Sequence, residues 1–174
     1  EKNNLLAAGK IRALACEIST GGPIAILGNP PWRAGPRTPP PPHLRPFLDE
    51  FRHDADGTLL KERKLGVLAD AYVRFMGWAL ACVRRTGGVF AFVTNASFLD
   101  GPVHRGMRAA LLRHLDAIDI VDLGGNAMLS GAATRDENVF GVRPGVALIV
   151  GARRESGSGG SAGVRYHALR GRAV

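Results

Sequence analysis

An asparagine, two prolines and a tryptophan stand together at Asn29-Pro30-Pro31-Trp32, directly after the apolar run of residues 23–28. These residue types suit one kind of chemistry. An amino nitrogen conjugated into a heteroaromatic ring is a poor nucleophile, because its lone pair is delocalised. Hydrogen-bond acceptors placed on both of its hydrogens favour a tetrahedral nitrogen and offset the positive charge that grows as it attacks the methyl of a sulfonium. The Asn29 side-chain oxygen supplies one acceptor and the Pro30 carbonyl the other. Each proline has a fixed φ and keeps its predecessor out of the helical region, so both acceptors are held before a substrate arrives. Trp32 offers a flat face on which an extruded base can stack. Asn-Pro-Pro-aromatic arises by chance on the order of once per thousand chains of this length, so the alternative of a strand that merely ends in a Pro-rich turn is the weaker one.

Rigid acceptors need a rigid platform. Ile24, Ala25, Ile26 and Leu27 form a continuous apolar run, as expected of a parallel strand. In open α/β sheets ligands gather at the carboxyl ends of the strands, which is where this tetrapeptide falls. Upstream, Leu5, Leu6, Ile11, Leu14, Ala15 and Ile18 have helical spacing. Downstream, Pro36 and Pro39 to Pro42 predict a stiff extended loop, and residues 44–64 read as a polar insert with a turn at Asp54-Ala55-Asp56-Gly57. Leu68, Tyr72, Phe75, Met76, Ala79 and Val83 predict a helix that Gly87-Gly88 ends. Residues 89–93, 118–123 and 146–150 read as further strands, and a second helix starts at Pro102. A Ser/Gly linker at 155–163 precedes one more strand from Val164, whose partner is expected outside the chain. The order is α/β, with a mostly parallel sheet and helices on both faces.

Composition sets the bounds. The 174 residues are 45% hydrophobic, enough for one sizeable core. Mean hydropathy is +0.01, and no apolar run nears the roughly 20 residues of a membrane span. Two cysteines, Cys16 and Cys82, sit in apolar helical contexts, which implies core fillers in a reducing, cytoplasmic setting. The net charge of +8 fits a polyanionic partner, and equally the Arg-, Ala- and Gly-rich usage of a GC-rich genome. The five histidines have no metal-ligand spacing, so no metal is expected. Asp49, Glu50, Asp54 and Asp56 read as solvated carboxylates of the insert. Arg105, Arg108 and Arg113 share a helix, either as phosphate contacts or as an exposed face.

Asn29-Pro30-Pro31-Trp32 after a strand resembles motif IV of the amino-methyltransferases. Later segments follow in the family's order. Residues 70–75 resemble the motif V helix, and 87–95 with Ser97-Phe98-Leu99 the motif VI strand and turn. Arg105-Gly106-Met107-Arg108, Asp122-Leu123-Gly124-Gly125-Asn126, Asp136-Glu137-Asn138-Val139-Phe140 and Gly145-Val146-Ala147 resemble the type ISP restriction-modification proteins. The resemblance runs from about residue 23 to 152 and implies adenine-N6 methylation of double-stranded DNA, in restriction-modification or phage defence in the prokaryotic cytoplasm. It implies the second half of a Rossmann-like class I methyltransferase sheet over residues 1–154, with a Pro-rich insert at 33–64, and a target-recognition region beginning in 155–174. It implies catalytic roles for Asn29, Pro30, Pro31 and Trp32, an apolar wall of the base pocket from Phe140, cofactor-side positions for Asp70 and Tyr72, and phosphate contacts for Arg105 and Arg108. Ordinary packing explains Phe140 and Tyr72 as well, and a helix cap explains Asp70.

The cofactor implied is S-adenosyl-L-methionine. Its Gly-rich loop and ribose-binding acid are expected before Glu1, so the chain reads as part of a longer protein whose N-terminal methyltransferase half is its partner, inactive alone. Gly124-Gly125 after a strand imitates that loop, but residues 127–136 lack the apolar periodicity of the helix it would have to open. An RNA or protein-glutamine N-methyltransferase, or a degenerate non-catalytic DNA-binding relative, fits the same residues.

Overall fold

The structure, a computed structural model, describes residues 22–32, 39–126, 138–156 and 160–171. The expected helix over 1–18, Cys16, and Asp136 with Glu137 lie outside the described residues. Five strands form one sheet: β1 (Ile24–Gly28), β2 (Gly88–Asn95), β3 (Ala117–Gly124), β4 (Val146–Arg153) and β5 (Gly163–Ala168). Their order is β1-β2-β4-β3-β5. β1 pairs parallel with β2 and β3 parallel with β5, while β4 runs antiparallel to both β2 and β3. Four strands therefore point one way and β4 alone is reversed, the mostly parallel α/β sheet that the element order predicts.

Helices α1 (Arg45–Glu50), α2 (Ala71–Thr86), the single turn α3 (Ser97–Asp100) and α4 (Arg105–His114) connect the early strands. Spacing explains α2. Tyr72, Val73, Met76, Ala79, Leu80 and Val83 are buried along one side, and they meet Phe90 and Phe92 of β2 and Met107 and Leu111 of α4 in the core. Each buried Val, Leu, Met or Phe side chain here contributes about 1.5–3 kcal/mol by leaving water. α2 stops at Gly87, whose φ of 70° closes the helix. Cys82 is buried in this core, and burial pushes its thiol up to about 11. The described helices lie against the Phe90 and Phe92 face. On the other face, Leu27, Val89 and Val150 stay exposed, and no helix covers them among the described residues. No described helix is long and apolar enough to cross a membrane.

Two expectations change. The insert of residues 44–64 is not simply a solvated turn: Leu44, Phe51 and Leu60 are buried, and Leu48 packs against the core. Its acids meet the arginines of α4. Glu50 accepts from Arg113 at 2.7 Å and contacts His114 at 2.6 Å, with Arg84 at 3.5 Å. Burial raises the Glu50 carboxyl, but His114, Arg113 and Arg84 outweigh it and hold it below its usual value. The partner of β5 is also within the chain. β5 adds to β3, and Tyr166 and Arg170 both donate to the Asp122 carboxylate at 2.6 Å.

Tyr72 and His104 make a buried hydrogen bond of 2.8 Å, and His104 Nδ1 has no partner. Burial, helped by the Arg108 guanidinium, holds His104 below its usual pKa. Near and below its ordinary pKa, His104 therefore binds less proton folded than unfolded. The stability it contributes is complete above the unfolded pKa, about 6.5, and is lost as pH falls from there towards the lower folded value. Thermal melts at pH 7.5 and pH 5.5 should show a lower midpoint at pH 5.5, and His104→Leu should reduce that difference. An undiminished pH dependence in His104→Leu would assign it to His114, which burial also holds low.

Candidate functional site

β1 delivers the tetrapeptide at its carboxyl end, beside the end of β2. Asn29 is exposed, Pro30 buried, and Pro31 and Trp32 half-buried. Trp32 is anchored on the next strand, where its Nε1 donates to the Val93 carbonyl at 3.3 Å. The Phe140 ring meets Trp32 edge to face, with centroids 6.0 Å apart and planes at 83°. Asn29, Pro30, Pro31, Trp32, Phe140 and Val142 together line an open cleft of about 320 Å³. An amide, a rigid proline carbonyl and two aromatic rings are thereby gathered around a space suited to a flat heterocycle.

Phe140 reaches this place because β4 runs opposite to its neighbours, so the loop leading into β4 lies among their carboxyl ends. Ala96, just after β2, donates its N–H to the Gly145 carbonyl at 2.9 Å. Sequence reasoning missed Val142 as a lining residue and Asn138 as the centre of the turn that carries both. The available signal was an Asn two residues before Phe140, the spacing of an Asx turn.

The other candidates lie elsewhere or have other partners. Tyr72 is 2% exposed and faces the helical core rather than the cleft. Asp70 stands at the N-cap of α2 without a side-chain capping bond. Arg105 binds Asp54 at 2.7 Å and also Glu62, while Arg108 donates to the carbonyls of Phe98 at 2.8 Å and Gly101 at 2.9 Å. These two arginines hold the insert and the α3 turn onto α4. A second cleft, about 480 Å³, is lined by Pro23, Gly88, Asp116 and Arg153 at the amino ends of β1 and β2. That is the end of an α/β sheet where ligands seldom bind.

Gly124-Gly125 is packed by the chain itself. Gly124 N–H is held by Asp122 Oδ1 at 2.9 Å, and a Cβ on Gly125 would lie 2.4 Å from Asn138 Cα. The segment that carries Phe140 packs directly against this turn.

Four co-directional strands, one reversed strand and a cleft at their carboxyl ends define a Rossmann-like α/β domain. No family model and no curated protein matches the chain. Solved structures do. The chain is similar to part of DrdV in a complex with DNA, with 26% identity and a TM-score of 0.72 over 95% of this chain and 16% of that one. It is similar to part of the ATP-dependent type ISP restriction-modification enzyme LlaBIII bound to DNA, at 21% identity and TM-score 0.75 over 95% of this chain and 11% of that one. A nuclease-deletion mutant of the type ISP enzyme LlaGI, in complex with a DNA substrate mimic, gives 23% identity and TM-score 0.72, covering 94% and 16%. The chain thus shares the fold of a small part of large proteins.

Proposed function

We propose that this chain supplies the adenine pocket of an S-adenosylmethionine-dependent adenine-N6 DNA methyltransferase, as part of a longer restriction-modification protein. The observation that carries the reading is the cleft in which Asn29 and Pro30 meet the rings of Trp32 and Phe140. The likeness to DNA-bound restriction-modification enzymes and the net charge of +8 support a DNA substrate.

In this reading an extruded adenine lies against Trp32, whose indole is steadied by Val93. Phe140, edge-on to Trp32, forms a further apolar wall of the cleft. The Asn29 side-chain oxygen and the Pro30 carbonyl accept from the adenine amino group and gain strength as positive charge develops on its nitrogen. The methyl group comes from the cofactor's sulfonium. The Gly-rich turn after β3 packs against Asn138. In this reading the cofactor's site belongs to the rest of the longer protein. That remainder has a place to join: β1 pairs on one side only among the described residues, and the Leu27, Val89 and Val150 face is apolar and open.

The test is product identity. DNA methylated by the longer protein, digested to nucleosides and weighed by mass spectrometry, should contain N6-methyladenine. Methylated cytosine alone, or methyl groups found only on RNA or on protein glutamine, would overturn the reading.

A further inference from the structure

Asn138 uses its whole side chain on one task. Its Nδ2 donates to the Gly125 carbonyl at 3.0 Å and the Pro144 carbonyl at 2.8 Å. Its Oδ1 accepts from the backbone N–H of Phe140 at 2.9 Å and of Val142 at 3.3 Å. Phe140 and Val142 are the two lining residues of the cleft that lie outside the tetrapeptide. Phe140 is 51% exposed, so no hydrophobic packing of the usual core kind fixes its ring. The turn's polar ties do that instead.

We propose that Asn138 is a positioning residue, which sets a wall of the cleft by holding Phe140 against Trp32. A side chain for this place must donate twice on one side and accept twice on the other at short reach, which only an asparagine amide combines. Aspartate keeps the acceptors, loses both donors and sets a charge against two carbonyl oxygens. Serine and alanine do not span the gap. Gly125 completes the device: its φ is +67°, and the 2.4 Å approach of Asn138 Cα leaves no space for any other residue. The base specificity of the cleft rests on the adenine reading, whereas the placement of Phe140 does not.

The test is made on the chain itself and without nucleic acid. Of the two tryptophans, Trp78 is replaced by Phe so that Trp32 alone reports. In that background Asn138→Ala should shift Trp32 emission to the red and raise its accessibility to acrylamide as much as Phe140→Leu does. Asn138→Asp, which keeps the acceptors for Phe140 and Val142, should give a smaller change. Asn138→Ala added to Phe140→Leu should give no further change, because contacting residues that act through one another are not additive. A merely structural role would lower the melting midpoint and leave the folded-state Trp32 signal where it was. An unchanged signal in Asn138→Ala, or additive effects in the double variant, would overturn the proposal. If Asn138→Ala fails to fold, Asn138→Asp decides by the same signal. Because no base is present, a failed adenine assignment leaves this result standing, and failure here leaves Asn29 and Trp32 untouched.

Discussion

Gly88→Ala should remove at least ~3 kcal/mol of stability, a large part of what a domain of this size possesses. A methyl group at this position would sit 2.0 Å from the Ile24 carbonyl oxygen and 2.5 Å from the Ile24 nitrogen. Both are main-chain atoms of the first β1 residue, so no rotamer change gives way. Gly88 also has a φ of +121°, which an L side chain rarely adopts, and such backbone strain costs on the order of 1–3 kcal/mol by itself. Relief requires β1 to move off β2 at the pair where the two strands begin. The loss then reaches the cleft, since β1 carries the tetrapeptide and β2 carries the carbonyl that anchors Trp32. Gly66→Ala is the control: nothing lies within 4 Å of its Cβ position, and it should change stability little. Urea denaturation followed by circular dichroism measures both. Equal midpoints for the two variants would contradict the close approach described at Ile24.

Much of this fold can be read from apolar periodicity. The run at 23–28 becomes β1, the stripe from Tyr72 to Val83 becomes the buried side of α2, and Gly87-Gly88 ends that helix as glycines do. The insert was less legible because its charges dominate its composition. Leu44, Leu48 and Phe51 follow helical spacing, yet Asp49, Glu50 and Asp54 suggest solvent until Arg84 and Arg113 are seen to meet Glu50, and Arg105 to meet Asp54. Those arginines are far away in sequence, and ion pairs of that kind have no local signature. The strand from Val164 is expected, but the partner of β5 hides for a similar reason. The residues of β5 are all exposed, so burial leaves no alternating pattern, and the strand's place beside β3 depends on main-chain pairing and on Asp122 holding Tyr166 and Arg170.

The site divides along the same line. Asn29, Pro30, Pro31 and Trp32 are contiguous, and their chemistry is written in their types. Phe140 stands 108 residues beyond Trp32, and only its resemblance to a family motif pointed to it; the reversed direction of β4 is what brings it to the cleft. Asn138 was passed over because an asparagine in a polar loop is common, and its four bonds all run to backbone atoms that sequence does not display. Tyr72 was read as a possible cofactor-side residue by its place in a motif, while the partner that explains it, His104, is a core residue of another element.

Asn29→Ala should act on the rate of methyl transfer and leave DNA affinity nearly unchanged. In the proposed reading its side-chain oxygen would meet the adenine amino group most strongly as charge develops, so its removal should cost far more in the transition state than in the ground state. Trp32→Ala should differ in kind. Stacking of a base on an aromatic ring is worth about 1–3 kcal/mol and is present once the base is extruded, so its loss should weaken capture of the base as well as turnover. Trp32→Phe should be milder. The most direct measurement is single-turnover transfer from a tritiated methyl donor to DNA, with donor and DNA saturating, by the longer protein with and without Asn29→Ala. The account predicts a rate lower by ~100-fold or more, on the scale of a lost preorganised dipole. Methylation at the wild-type rate would contradict it.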